Sequence, residues 1–92
     1  MSAVADEGGS APVYPLEYEF KVIGLAEGEF ERRVRALVEA VLGELPAAAI
    51  RTRPSAQGKY LSVTVTALLR SEEERRGVFQ ALHADGRVLY FL

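Results

Sequence analysis

Three basic side chains crowd one short stretch: Arg51, Arg53 and Lys59 surround Pro54-Ser55-Ala56-Gln57-Gly58. A turn with free backbone N–H groups set between guanidinium groups can hold a carboxylate or a phosphate. Arg51, Arg53, Ser55, Gly58 and Lys59 are therefore candidate ligand-binding residues, suited to anion-handling chemistry or to nucleic acid. The competing reading is that charges on a sheet edge discourage edge-to-edge association. Ser55 has no base at hand and is not a nucleophile. His83 is the single histidine. No carboxylate pair at ligand spacing accompanies it, so it reads as a helix-end residue facing the negative end of the dipole. Glu72, Glu73 and Glu74 are consecutive and fan around a helix axis instead of converging on a metal. The chain has no cysteine, which excludes disulfides and thiolate metal sites. The expectation is no catalytic residue, no metal and no cofactor.

The elements that carry these residues are legible from periodicity. From Tyr60 to Ala67 the chain alternates: Leu61, Val63, Val65 and Ala67 on one side, Tyr60, Ser62, Thr64 and Thr66 on the other. Period two with β-branched residues marks a half-buried strand. A shorter strand within 47–53 precedes it, ended by Pro54, and Ser55–Lys59 forms the loop between them, with Gly58 free to take a positive φ. An earlier strand, Leu16–Ile23, places Tyr18, Phe20 and Val22 on one face and Glu17, Glu19, Lys21 and Ile23 on the other. Residues 27–42 carry a helical stripe of Phe30, Val34, Leu37, Val38, Val41 and Leu42. Glu27, Glu29 and Glu31 load its start with charge that suits the positive end of the dipole. Ser71 with Glu74 has the form of a capping box opening a second helix to about Ala84. The last strand is Val88–Leu92.

The order is βαββαβ. Two βαβ halves with right-handed crossovers give an α+β, ferredoxin-like sandwich: a four-stranded antiparallel sheet with two helices on one face. The first and third strands should be central and the second and fourth should be edges. At 92 residues, one domain over 14–92 is expected, preceded by a flexible tail over 1–13 rich in Ala, Gly and Ser. Asp6 and Glu7 account for the formal charge of −2. Bulk charge therefore steers the rest of the chain toward neither nucleic acid nor anionic membrane. No apolar run approaches the ~20 residues of a membrane span, and no signal peptide is visible, so a cytoplasmic protein is expected.

Two motifs stand together in this frame: Tyr14-Pro15-x-x-Tyr18-x-Phe20-Lys21-Val22-Ile23-Gly24, and Pro54-Ser55-x-x-Gly58-x-Tyr60-x-Ser62-Val63. Their order, and the short apolar final strand, resemble the YbeD-like family of small bacterial proteins of unknown function. The resemblance covers roughly residues 14–92. It implies a ferredoxin-like fold similar to the ACT regulatory domains that sense amino acids, and it implies no catalytic residues. In ACT-like domains the loop after the first strand often holds a small ligand. The equivalent here is Ile23–Gly28, which makes Gly24 and Glu27 candidate ligand contacts. Glu27, Glu29 and Glu31 would oppose an anion there, so an ammonium group or a protein partner fits better.

Two comparisons and the final strand narrow the function. RNA-recognition domains stack bases on aromatic residues at the centre of the open sheet face, where this chain has Glu19, Lys21, Ser62 and Thr64, so the reading is against nucleic acid. Acylphosphatases share the topology but use an arginine in the first loop, and Gly24–Glu29 has none. The final strand suggests most. Five consecutive apolar residues on an edge invite pairing with a copy of the chain or with another protein, which makes Leu89, Tyr90 and Phe91 candidate interface residues. Alternatively Val88, Tyr90 and Leu92 enter the core while Leu89 and Phe91 pack nearby. The leading expectation is a non-enzymatic regulatory or interaction module that binds a small metabolite or a protein partner and can pair as a homodimer through the strand-four edge. The runner-up is an anion-handling enzyme or nucleic-acid binder built on Arg51, Arg53 and Lys59.

Overall fold

The computed structural model describes residues 13–92. The expected tail, residues 1–13, lies outside them except for Val13. Six main elements follow: β1 (Leu16–Leu25), α1 (Phe30–Leu42), β2 (Ile50–Pro54), β3 (Tyr60–Leu69), α2 (Glu72–Ala84) and β4 (Val88–Phe91). The sheet is antiparallel in the order β2-β3-β1-β4. Both helices cover one face, and the expected ferredoxin-like arrangement is therefore the observed one.

The long β1–β3 ladder runs without a break from Leu16 opposite Leu69 to Leu25 opposite Tyr60. Its register leaves Ile23, Leu25 and Leu68 on the open side and puts most apolar residues of both strands on the helix side. Phe20, Val22, Val63, Val65 and Leu69 are fully buried there. The stripe of α1 meets them through Phe30, Val34 and Val38, and α2 adds Val78 and Leu82. Each such side chain stabilises the fold by about 1.5–3 kcal/mol on leaving water. A file of aromatic rings crosses this layer. Tyr18 lies 4.7 Å from Phe20, Phe20 5.3 Å from Phe79, and Phe79 5.6 Å from Phe91, ring centre to ring centre. Phe79 thus ties α2 to both β1 and β4.

Three boundaries differ from expectation. Helix α1 opens at Phe30, not at residue 27. Glu29 precedes it in the left-handed region (φ 55°), and only Glu31 of the expected acids lies in the first turn. Ala47–Ala49 form one 3-10 turn before β2 begins at Ile50. On β4 the alternation fails. Phe91 pairs with Val22 and Tyr90 with Ile23, but the next partner of β1, Gly24, faces Val88. Leu89 is the extra residue of a bulge, where two residues on one strand oppose one on its neighbour. Val88 and Phe91 consequently both pack on the core, while Leu89, Tyr90 and Leu92 remain more than half exposed. The reading that sent Val88, Tyr90 and Leu92 inward holds for Val88 and is corrected for Tyr90 and Leu92, whose place Phe91 takes. The backbone pairing continues past the strand proper, since the Leu92 N–H donates to the Lys21 carbonyl at 2.9 Å.

The helix starts are fixed by local polar contacts. The Glu74 N–H donates to Ser71 Oγ at 3.2 Å, as the capping box requires. The Glu74 carboxylate accepts from the Arg70 N–H at 2.8 Å, one residue before the cap. Among the described residues no helix is long and apolar enough to cross a membrane.

Candidate functional site

Sequence reasoning placed candidate residues in three places, and the fold brings two of them to one end of the sheet. The β2–β3 hairpin tip sits beside the β1–α1 loop, since the Ala26 N–H donates to the Lys59 carbonyl at 2.8 Å. The α2–β4 turn closes on the same loop from the other side. Its Arg87 Nη2 donates to the carbonyls of Glu27 and Gly28, at 2.6 and 2.8 Å.

The hairpin turn spends on its own closure much of the polarity that suggested an anion cradle. Three of its N–H groups are already used. Ser55 N–H donates to the Tyr60 carbonyl at 2.8 Å, Gly58 N–H to the Ser55 carbonyl at 2.9 Å, and Tyr60 N–H to Ser55 Oγ at 3.1 Å. Gly58 takes the positive φ (75°) that this closure needs. Ser55 and Gly58 therefore build the turn. The three cations also separate. Arg51 reaches across β3 to Glu19, 2.8 Å away. Lys59 Nζ lies 5.5 Å above the Tyr60 ring. Arg53 is left on the open sheet face, where it lines two adjoining depressions of about 560 and 460 Å³.

Gly24 and Glu27 are placed differently from the expected ligand contacts. Gly24 is buried inside β1, and a Cβ there would overlap ring carbons of Phe30 and stand 2.7 Å from the Arg87 carbonyl oxygen. The close approach that Gly24 allows is taken by the protein's own phenyl ring. Glu27 contributes its carbonyl to Arg87 and lines a pocket of about 380 Å³ with Leu25, Gly28, Gly86, Arg87 and Leu89. Of the expected interface residues, Leu89 and Tyr90 are exposed, whereas Phe91 stacks on Phe79 and belongs to the core side. His83 lies in the last turn of α2, its ring 6.5 Å from that of Phe91. Among the described residues no group of three or more His, Cys, Asp or Glu is placed to hold a metal ion.

Two polar clusters escaped the sequence reading. Tyr14 Oη donates to Glu72 Oε1 at 2.7 Å, and Arg75 grips the same carboxylate through Nε and Nη2 at 3.0 and 2.7 Å. The Arg75 hydrogen bonds, and then that from Tyr14, hold the Glu72 carboxyl down to about 2. The second cluster centres on Asp85, the one buried charged residue among those described. Burial alone would raise its pKa, but the Arg33 guanidinium and the Arg87 N–H outweigh that and hold it below the usual value. Arg33 Nε and Nη2 approach Oδ2 at 2.8 and 2.7 Å, and Arg87 N–H donates to Oδ1 at 2.9 Å. Asp85-Gly86 following a helical pattern was the available signal for a turn, but its partner Arg33 lies far away in sequence.

A family model described as "Protein of unknown function (DUF493)" matches residues 12–92. A UPF0250 protein of Janthinobacterium sp. (strain Marseille) is 35% identical over 79 residues, covering 86% of this chain and 87% of the relative. A UPF0250 protein of Hahella chejuensis is 37% identical over 75 residues, with 82% of each chain covered. The solution structure of protein HP0495 from H. pylori superposes with a TM-score of 0.71 at 20% identity, spanning all of this chain and 97% of that one. That likeness is one of fold. The resemblance read from the two sequence motifs holds, and the chain belongs to the DUF493 family.

Proposed function

We propose that this member of the DUF493 family is a non-enzymatic interaction module whose working surface is the β4 edge with the adjoining open face of the sheet. The observation that carries the reading is the exposure of Leu89, Tyr90 and Leu92, each 54–57% accessible, on a strand whose outer rim has no sheet neighbour among the described residues. Large apolar side chains beside unpaired backbone groups favour the addition of a further strand. A second copy of the chain is the first partner to test, because an antiparallel pairing about a two-fold axis would place Tyr90 and Leu92 of both copies side by side. Sedimentation equilibrium of the full chain up to high micromolar concentration should give a reversible dimer that Tyr90→Lys dissociates. A monomer throughout would refute self-pairing and leave the edge to a different protein.

A second reading rests on the pocket between Leu25, Arg87 and Leu89. Its apolar walls, with Glu27 beside the Arg87 guanidinium, suit a small metabolite that carries an ammonium group as well as a carboxylate. Thermal unfolding against amino acids and phosphorylated metabolites tests it, since a ligand at a hundred times its dissociation constant adds ~2.7 kcal/mol.

A further inference from the structure

The basic side chains of this protein are paired unevenly. Eight of the eleven hold a carboxylate or a backbone carbonyl. Those of both helices are in this group, including the exposed Arg32 and Arg76. Among the described residues the remaining three, Lys21, Arg53 and Lys59, have no carboxylate within ion-pair distance. All three lie on the open sheet face or at the hairpin tip beside it. Tyr90 of β4, Ile23 of β1, Ser62 of β3 and Arg53 of β2 stand in one row across the strands. Lys21 and Thr64 occupy the next row on one side, and Leu25 and Tyr60 the next on the other. The two depressions of this face share Arg53 and Ser62 and reach Lys21 and Ile23 of β1 as one lane, which the row from Ile23 to Tyr90 extends to β4. Crossing it takes three inter-strand steps, roughly 14 Å. The lane is apolar at its β4 end and cationic at its β2 end.

We infer that this lane docks an acidic protein segment that presents apolar anchors to Tyr90 and Ile23 and carboxylates to Lys21, Arg53 and Lys59. This rests on the sheet side being the working surface and adds the chemistry of the partner. Charge selects the occupant. A second copy laid face to face would bring the same cations into opposition, which is repulsive. A nucleic-acid strand needs successive free aromatic faces, but the lane offers Tyr90 alone, since the Lys59 ammonium already sits over Tyr60 and the positions between are Ile23 and Ser62. An extended segment of about five residues spans the lane, and its side chains alternate toward and away from it, so every second residue meets the protein.

The test uses the full chain and fluorescence anisotropy with three labelled probes. These are a peptide of roughly ten residues alternating glutamate and leucine, its lysine–leucine counterpart, and a short oligouridylate. The glutamate peptide should bind, weaken as salt is raised, and lose about tenfold in affinity in each of Lys21→Glu and Arg53→Glu, since each reversal replaces an attraction by a repulsion. Arg32→Glu on the helix side should leave binding unchanged. Lys21 and Arg53 are exposed, and circular dichroism confirms that the variants fold; Arg53→Gln should give an intermediate loss. Absence of binding, equal binding of the lysine peptide, or tighter binding of oligouridylate each overturns the inference. Sedimentation of the same charge variants separates this from self-pairing. A monomer that still binds the glutamate peptide removes only the dimer, and a dimer that ignores the peptide removes only the lane.

Discussion

Replacing Gly24 by alanine distinguishes a ligand contact from a packing contact in one residue. The added methyl group would overlap the ring of Phe30, which is 2% exposed and enclosed by the core, and would stand 2.7 Å from the Arg87 carbonyl oxygen. Ordinary contacts between such atoms lie at ~3.5–4.0 Å, so a shift of about 1 Å is needed. Overpacking a closed core costs roughly 1–3 kcal/mol. One obstacle here is backbone and the other a buried ring, which puts Gly24→Ala near 3 kcal/mol. For a domain of this size that is a fall in midpoint of roughly 12–24 °C. Urea and thermal unfolding followed by far-ultraviolet circular dichroism measure it. Phe30→Leu provides the partner variant. It is destabilising alone, but it should relieve part of the Gly24→Ala cost, giving a coupling of about 1 kcal/mol or more in the double-mutant cycle. A Gly24→Ala protein within ~0.5 kcal/mol of the parent, additive with Phe30→Leu, would refute the reasoning and restore Gly24 as an open approach for a ligand.

Two further outcomes follow from the polar clusters. Asp85→Ala should destabilise by about 2 kcal/mol, because it removes the acceptor for Arg33 and leaves the Arg87 N–H without its carboxylate; Asp85→Asn should cost less, and urea midpoints equal to the parent would show that the clamp between α1 and the α2–β4 turn contributes nothing. Glu72 titrates at about 2 in the folded chain against an ordinary 4.5. The unfolded chain therefore binds the proton first, and the contribution of Glu72 is complete above about 4.5 and disappears as pH falls toward 2. The gap in unfolding midpoint between the parent and Glu72→Gln should close over that interval, and a gap independent of pH would rule the linkage out.

The parts of the fold that sequence revealed are those in which one residue type repeats at one interval. Val63, Val65 and Ala67 alternate with hydroxyl residues, and Phe30, Val34 and Val38 mark a helical face, so β3 and α1 could be read directly. The start of α1 could not, because Glu27 and Glu29 suit a helix N-terminus chemically while the left-handed backbone at Glu29 delays the first turn. β4 was recognisable as a strand but not in its facing, since one inserted residue at Leu89 reverses every side chain on one side of it. The candidate site was less legible. Composition identified Arg51, Arg53 and Lys59 as a group, yet pairing depends on which carboxylate the sheet brings alongside. Glu19 took Arg51, and nothing local to either residue announces that. Ser55 and Gly58 were likewise chosen for their chemistry, and the turn consumes that chemistry internally.

The bulge at Leu89 also sets how many partners the edge can recruit. A straight strand laid along β4 would match Tyr90 to Leu92 and then lose register, because the backbone bends where the extra residue sits. Only a short segment, or one carrying a compensating irregularity, can zip along the whole rim. An edge of this kind admits a single brief guest and gives a growing stack of sheets nothing to copy. The same residue that opens Leu89 and Tyr90 to a neighbour therefore limits the length of the strand that neighbour can offer, and makes the association reversible by construction.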